Sequence, residues 1–123
     1  MVKRHSQRAQ RVADQLQREL ADLLREHIKD PRVGPVTITA IEVSPDLSHA
    51  RILFTHFAGQ EQAAPAVEAL QHAAGYLRSM LSQRLDLYSV PQLHFAYDAS
   101  IEEGMRLSQL IDDAVAADRR HQE

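Results

Sequence analysis

The strongest constraint on the fold is an apolar spacing of three and four residues through positions 12–28. Charged and polar residues fill the other positions, as in an amphipathic helix that packs one face on a core. Ser6 is a candidate N-cap, and Asp30-Pro31 disfavours helical geometry beyond it. The sequence therefore predicts a first helix from about Ser6 to about Ile28. Its predicted core-facing residues are Val12, Leu16, Leu20, Leu23, Leu24 and Ile28.

Two segments rich in β-branched residues follow this helix. Residues 36–43 (VTITAIEV) and 50–57 (ARILFTHF) have the composition of strands, and a short loop of turn-forming residues joins them. We expect an antiparallel hairpin. In the first strand the apolar residues change face, which indicates either a bulge near Ala40 or burial of both faces. A third strand is predicted at residues 92–97 (QLHFAY), which alternate in polarity.

Two further helical segments are predicted. The first begins at about Ala66 and contains Gly75, which costs on the order of 1 kcal/mol relative to alanine inside a helix. The second begins at Ser100, where Ser-Ile-Glu-Glu matches a capping box, and ends near Val115. Residues 116–123 are expected to form a frayed tail.

These elements predict an α+β fold in which one three-stranded sheet carries helices on one face. A length of 123 residues fits one domain, 1–123, with its core at about 6–112. The absence of cysteine excludes disulfides, thiolate metal sites and a cysteine nucleophile. No apolar run approaches the roughly 20 residues of a membrane helix. The basic N-terminus has no apolar segment behind it, so we expect no signal peptide and a cytoplasmic protein.

The sequence contains no motif that indicates catalysis or cofactor binding. There is no G-x-S-x-G, no phosphate-binding glycine loop and no G-x-G-x-x-G. The seven histidines lack the spacing of metal ligands. The acidic residues that follow Asp98 are explained by helix capping. We predict a protein that is not an enzyme and that uses no cofactor or metal.

The net charge of −3 conceals an uneven distribution of charge. Residues 1–34 carry eight basic and five acidic residues, whereas residues 96–123 carry three basic and seven acidic ones. Polyanion binding depends on local potential, because charges are screened over a Debye length of roughly 8 Å. The charge pattern is compatible with RNA binding and equally with a solvated basic N-terminus.

About one turn of the second helical segment consists of small residues and so carries almost no side-chain bulk. Ala73, Ala74 and Gly75 would let either a phosphodiester backbone or another helix approach the main chain. If the helix breaks here, the amides of its second half become free N-terminal donors that attract anionic oxygen. Arg78 and Arg84 would then lie near that anion.

Short stretches in a fixed order carry a resemblance to a known family. They are Arg8-x-x-Arg11-Val12, Lys29-Asp30-Pro31-Arg32, Val43-Ser44-Pro45-Asp46-Leu47-Ser48, Ala73-Ala74-Gly75-Tyr76-Leu77-Arg78, Val90-Pro91, Phe95-x-Tyr97-Asp98-x-Ser100-Ile101 and Gly104-Met105. Together they cover roughly residues 5–112. On these stretches the chain resembles the bacterial ribosome-binding factor A (RbfA) family, whose fold is a type II K-homology (KH) domain with a C-terminal helix.

The resemblance implies a non-enzymatic assembly factor for the small ribosomal subunit. It implies binding to the free subunit near the decoding region of 16S rRNA, late maturation, 5′-end processing and a particular need in the cold. Ala73-x-Gly75 replaces the G-x-x-G of a classical KH domain, which favours a folded rRNA surface over sequence-specific clamping of single strands. The alternatives are a general KH-like RNA chaperone and a protein-interaction module.

The residue pattern and the resemblance together predict one RNA-binding surface on a monomer that contacts no membrane. Exposed main chain and cationic side chains would make up that surface. The predicted RNA-binding residues are Arg4, Arg8, Arg11, Lys29, Arg32, Ala73, Ala74, Gly75, Arg78 and Arg84.

Overall fold

A computed structural model describes residues 2–122, and the side chains of residues 7–120. Over these residues the chain forms four α-helices, three strands and a short 3₁₀ turn before the second helix. The elements are α1 (Val2–His27), β1 (Val36–Val43), β2 (His49–His56), α2 (Ala63–His72), α3 (Ala74–Arg84), β3 (Gln92–Tyr97) and α4 (Ser100–Gln122).

The strands form one mixed sheet in the order β1-β2-β3. β1 and β2 make the predicted antiparallel hairpin, whereas β3 lies parallel to β2 after the crossover through α2 and α3. The bulge near Ala40 is confirmed, since Ile38 pairs with Phe54 and Ala40 with Leu53, leaving Thr39 as the extra residue. The predicted α+β class is confirmed.

The core lies between the sheet and the helices α1, α2 and α3. α1 packs on β1 and on α3, while α2 and α3 pack on β3. The spacing that predicted α1 identifies its buried face, and Ile28, just beyond its end, is partly buried against the core. The side chains with the least exposure come from both layers: Leu16, Leu20, Leu23, Ile52, Phe54, Leu70, Leu77 and Leu81.

The opposite face of the sheet carries exposed polar side chains from all three strands. Arg51 Nη1 lies 3.3 Å from Glu42 Oε1. His49 Nδ1 lies 3.0 Å from His94 Nε2. Their spacing in the sequence does not indicate that these two histidines meet, because the contact depends on the parallel pairing of β2 with β3.

Four predicted boundaries are wrong. The second helical segment begins at Ala63 and not at about Ala66. α1 begins at Val2 and not at Ser6, because no helix-breaking residue separates them. The interruption of the second helical segment falls at Ala73, so Gly75 lies in the first turn of α3. α4 continues beyond Val115 to Gln122.

The predicted capping box at Ser100 does not form. Ser100 is already helical, and its backbone N–H donates to Asp98 Oδ1 at 2.9 Å. Asp98 therefore supplies the side-chain acceptor at the start of α4. Bonds from Ser100 and from the Thr39 hydroxyl hold the pKa of Asp98 below its usual value.

α4 extends away from the sheet, and its side chains are almost all exposed. Tyr97 in β3 donates a hydrogen bond from its hydroxyl to Glu102 Oε1, which ties the first turn of α4 to the sheet. Further along, Leu107, Leu110 and Ile111 are each more than half exposed. Among the described residues, no helix is both long and apolar enough to cross a membrane.

Candidate nucleic-acid interface

The junction of α2 and α3 is a single residue, Ala73, with φ −84° and ψ −2°. Its N–H still donates to Ala69 O, and its carbonyl accepts from Leu77 N–H at 2.9 Å. The N–H groups of residues 74–76 lie in the first turn of α3, where no carbonyl of that helix accepts from them, and the N-cap residue Ala73 supplies no side-chain acceptor. The start of α3 therefore lies two residues, about half a turn, nearer to α2 than a break at Gly75 would place it.

The main chain is open at Gly75. Apart from its chain neighbours and its own helix backbone, a Cβ atom built on this glycine would meet no described atom within 4 Å. Ala73 and Ala74 are half-buried and pack against the core. Close packing of α3 on another element of this chain therefore does not account for the glycine, and the exposed backbone remains open to an external partner.

Arg78 is the predicted cation that lies beside this turn. Arg78 and Gly75 line the same cleft, of about 220 Å³, between the start of α3 and β3. Its Nε donates to Val90 O at 2.9 Å, and this bond fixes the position of the guanidinium group. A guanidinium has five N–H donors, so this bond leaves others for an anion.

Arg84 does not join this cleft. It turns toward α1, where Nη1 lies 3.8 Å from Glu19 Oε1 and Nη2 lies 3.5 Å from Glu26 Oε2. The side chain is 32% exposed. Two carboxylates thus offset its charge, and the structure does not bring it together with Gly75.

Lys29 and Arg32 follow α1 and differ in their surroundings. Arg32 Nη2 lies 2.8 Å from Asp30 Oδ2, and Arg32 Nη1 lies 3.8 Å from Glu68 Oε1 on α2. The hydrogen bonds from Arg32 lower the pKa of Asp30 to about 2, and Asp30 raises the pKa of Arg32. Lys29 is exposed and makes no ion pair with a described carboxylate.

Arg8 and Arg11 are exposed on α1 and pair with no described carboxylate. Arg8 lines a second cleft, of about 420 Å³, together with Leu47 and Tyr88 from two loops. The Arg4 side chain lies outside the described residues. Of the predicted cations with described side chains, Arg78 alone lies at the α2–α3 junction, and the others lie on α1, in the loop after it, or at the end of α3.

Sequence reasoning missed three residues of these surfaces: Gln71 and Tyr88 each line one of the two clefts, and Tyr76 follows Gly75 on α3. Tyr76 and Tyr88 are exposed by 53% and 107%, and exposed aromatic rings are what unpaired bases stack on. The position of Tyr76 off the apolar stripe of its helix would have indicated this exposure. Gln71 bonds the edge of β3, a contact between residues far apart in sequence that no local pattern signals.

Comparison with known proteins gives one consistent result. The family model of ribosome-binding factor A matches residues 8–111. Ribosome-binding factor A of Nitrosospira multiformis is 53% identical over 116 residues, covering 94% of this chain and 92% of that protein. The protein of that name from Pseudomonas syringae pv. syringae is 54% identical over 126 residues, covering 100% and 90%.

Two solved structures from Thermus thermophilus are also similar. The crystal structure of ribosome-binding factor A has a TM-score of 0.65 and 28% identity, covering 72% of this chain and 93% of that one. The second is a homology model of the Thermus protein fitted into a cryo-EM map of a 30S–RbfA complex. It has a TM-score of 0.60 and 29% identity, covering 71% and 91%.

Proposed function

Because the chain belongs to the ribosome-binding factor A family, we propose that it binds free small ribosomal subunits through 16S rRNA. In this proposal it assists late maturation of the subunit and processing of the 5′ end of the rRNA precursor, without catalysing a reaction. It acts as a monomer in the cytoplasm, away from membranes, and is needed most in the cold.

The observation that carries the proposal is the similarity to the Thermus thermophilus protein placed in a 30S–RbfA complex. That similarity extends over 71% of this chain and 91% of the neighbour. The relatives that share half of the sequence over nearly the whole chain are named for ribosome binding.

The α2–α3 junction is the part of the surface best suited to rRNA. The N–H groups in the first turn of α3, residues 74–76, and the helix dipole of α3 favour a phosphate oxygen. Arg78 adds a positive charge beside them. None of these groups reads a base, so the contact follows the shape and backbone of the RNA.

Further cations extend this contact in the proposal. Arg8, Arg11 and Lys29 have no carboxylate partner among the described residues. The full positive charge of each side chain is therefore available to an rRNA phosphate. Arg4, Arg32 and Arg84 complete the proposed set, and the last two must exchange their carboxylate partners for phosphates. Holding rRNA strands in one arrangement would block premature joining of the large subunit and favour the mature pairing of the 5′ end.

Sedimentation through a sucrose gradient tests this proposal. The purified protein is mixed either with free small subunits or with assembled ribosomes, and each gradient fraction is probed for it. We expect the protein to migrate with free small subunits and not with assembled ribosomes. Equal association with both particles, or with neither, would contradict a role in subunit assembly, and equal association with unrelated RNA would favour a general RNA chaperone.

A protein-interaction module is the second candidate, and the apolar stripe of α4 favours it. Leu107, Leu110 and Ile111 are 59%, 60% and 55% exposed and share one face of the helix. Ribonuclease treatment of the isolated complex separates the two candidates. A complex held by rRNA dissociates, whereas a complex held by α4 and a protein survives.

A further inference from the structure

The cleft that Arg8 lines has two loops as its walls, and we call it the loop cleft. The β1–β2 hairpin loop contributes Pro45 and Leu47. The loop between α3 and β3 contributes Leu87 and Tyr88. The cleft volume of about 420 Å³ lies within the range of pockets that hold small ligands, roughly 300–1,000 Å³. The loop cleft is therefore large enough for one nucleotide.

Tyr88 presents a whole aromatic ring at the loop cleft. Its side chain is 107% exposed, so the described chain covers almost none of the ring. Unpaired bases stack on exposed aromatic rings, because every base has a π face. A base inside a duplex has both faces stacked on its neighbours. Only an unpaired base can therefore stack on Tyr88.

The hairpin wall of the loop cleft offers a hydrogen-bond acceptor. Asp46 lines the cleft, and the bonds that it accepts from Ser48 and Ser44 all fall on Oδ1. Of the described residues, none donates to Oδ2. The bonds lower the pKa of Asp46 to about 2, so its carboxylate is ionised at neutral pH and only accepts. Every RNA base has an N–H donor on its Watson–Crick edge, and this donor is free when the base is unpaired.

Arg8 adds a positive charge to the same cleft. Its side chain is exposed and makes no ion pair with a described carboxylate. Asp46 is the one acidic residue among those that line the cleft, and it does not pair with Arg8. A guanidinium can donate two parallel hydrogen bonds to one phosphate. Arg8 is therefore available to the backbone of an RNA strand.

The hairpin wall is held in one conformation by its own contacts. Leu47 has φ 63°, in the left-handed region that residues with a side chain seldom adopt. Its N–H donates to Ser44 O at 2.8 Å, and its side chain packs against the core. Such a conformation persists where the surrounding contacts enforce it, and it is common at sites that bind ligands. The wall therefore needs no reordering when a ligand enters.

On these contacts, and resting on the proposed function, we propose that the loop cleft binds one unpaired nucleotide of rRNA, whatever its base. Tyr88 stacks on the base, Asp46 Oδ2 accepts from its Watson–Crick edge, and Arg8 binds a phosphate. The α2–α3 junction follows the RNA backbone and reads no base. The loop cleft adds a preference for rRNA with a bulged or flipped-out nucleotide over a continuous duplex.

The direct test measures binding to two short RNA hairpins, one fully paired and one with a single bulged nucleotide. The measured quantity is the ratio of their dissociation constants at fixed salt. We expect the wild type to bind the bulged hairpin at least about fivefold more tightly, the size of one stacked base. Tyr88→Ala should remove this preference, whereas Tyr88→Phe should keep it because the ring remains.

Two matched variants separate the ring from charge and from general exposure. Arg8→Gln should weaken binding to both hairpins by a similar factor, because both carry the phosphate that it binds. Phe57→Ala removes an aromatic ring that is 87% exposed in the connection between β2 and α2, outside the two loops of the cleft. It should leave both affinities unchanged.

Equal binding of the two hairpins by the wild type, or no binding of either, overturns the proposal. A preference that survives in Tyr88→Ala overturns it as well. Nuclear magnetic resonance spectra of the wild type cover the case in which a variant does not fold. The ring signals of Tyr88 should shift when the bulged hairpin is added, and unshifted signals with that hairpin bound would contradict stacking.

Binding of free small subunits by the wild type separates this inference from the proposed function. If the wild type binds subunits and shows no preference between the hairpins, only the role of the loop cleft fails. If the wild type does not bind subunits, the proposed function fails, whatever the hairpins show.

Discussion

At the scale of single residues, Tyr76 is the side chain that most directly extends the open turn. It follows Gly75 on α3 and is 53% exposed, so its ring is available for a base to stack on. We expect Tyr76→Ala to weaken binding to free small subunits at least about fivefold, since stacking contributes roughly 1–3 kcal/mol per base. Titration with fluorescently labelled protein measures this loss.

Phe57→Ala is the matched control for Tyr76. Phe57 is 87% exposed but lies in the connection between β2 and α2, outside α3 and the α2–α3 junction. Its removal should leave subunit affinity unchanged. Equal losses from the two substitutions would show that the aromatic ring at the junction has no special role.

Asp46 organises the hairpin loop and gives it a defined pH dependence. Its carboxylate accepts hydrogen bonds from the hydroxyls of Ser48 and Ser44, each at 2.7 Å, and from Ser48 N–H at 3.1 Å. These bonds lower its pKa to about 2. Because the pKa of Asp46 is lower in the folded chain than in the unfolded chain, the ionised carboxylate stabilises the fold. Its stabilising contribution is complete at pH values above the unfolded-state pKa of about 3.9 and is lost as the pH falls toward 2.

We therefore predict that Asp46→Asn is less stable than the wild type at pH 5 and that the difference narrows as pH falls from 4 to 2. Urea unfolding of both proteins across this pH range measures the difference in their free energies of unfolding. Because the two proteins are compared at the same pH, the effects of the other acidic residues cancel. A difference that stays constant with pH would contradict the role of the ionised carboxylate.

At the scale of elements, local composition predicts the strands well and the helix break poorly. β1 and β3 follow from β-branched content and alternation, and the change of face in β1 correctly indicates the bulge. The break at Ala73 is hidden, because the apolar stripe of the second helical segment continues through it. The contacts of Gln71 with β3 depend on tertiary packing, so they have no local signature.

The sequence predicts the site residues correctly where they are neighbours on one helix, and less well where their position depends on another element. Gly75 and Arg78 lie in one cleft because they are one turn apart on α3, which sequence spacing reveals. Arg84 lies further along the same helix, yet Glu19 and Glu26 on α1 hold it. The carboxylate partners of Arg84 lie on an element distant in sequence, whereas Arg32 has a partner two residues away, Asp30.

α4 is expected to contribute little to the stability of the rest of the chain. Beyond Glu102, which Tyr97 bonds, its side chains are nearly all exposed. Deleting residues 106–123 should change the free energy of unfolding by no more than about 0.5 kcal/mol, the usual range for exposed positions. Urea unfolding of the shortened chain measures this. A larger loss would mean that α4 packs on the sheet.

At the scale of the whole molecule, charge is segregated along the fold. The acidic segment 96–123 carries seven acidic and three basic residues and lies mainly in α4, which extends away from the sheet. The basic residues predicted to bind RNA lie on α1, after it, at the α2–α3 junction and, for Arg84, at the end of α3. In the proposed function, this separation is what lets a protein with a net charge of −3 offer a locally positive surface to rRNA.

The number of phosphates neutralised sets the salt dependence of binding. For about five phosphates, the logarithm of the association constant should fall with the logarithm of salt concentration at a slope near −3.5 to −4.5. Affinity for free small subunits measured over a salt series gives this slope. A slope near zero would contradict an electrostatic contact with rRNA.

The central claim is that the open main chain at Gly75 contacts rRNA, and Gly75→Val tests it most directly against Gly104→Val. Both glycines are helical, and apart from chain neighbours and the helix backbone no described atom lies within 4 Å of a Cβ built on either. Valine should therefore change the free energy of unfolding by less than about 0.5 kcal/mol at either site. Affinity for free small subunits should fall about tenfold for Gly75→Val, the loss of about one hydrogen bond to a charged group, and stay unchanged for Gly104→Val. Equal affinities for the two folded variants would contradict the claim.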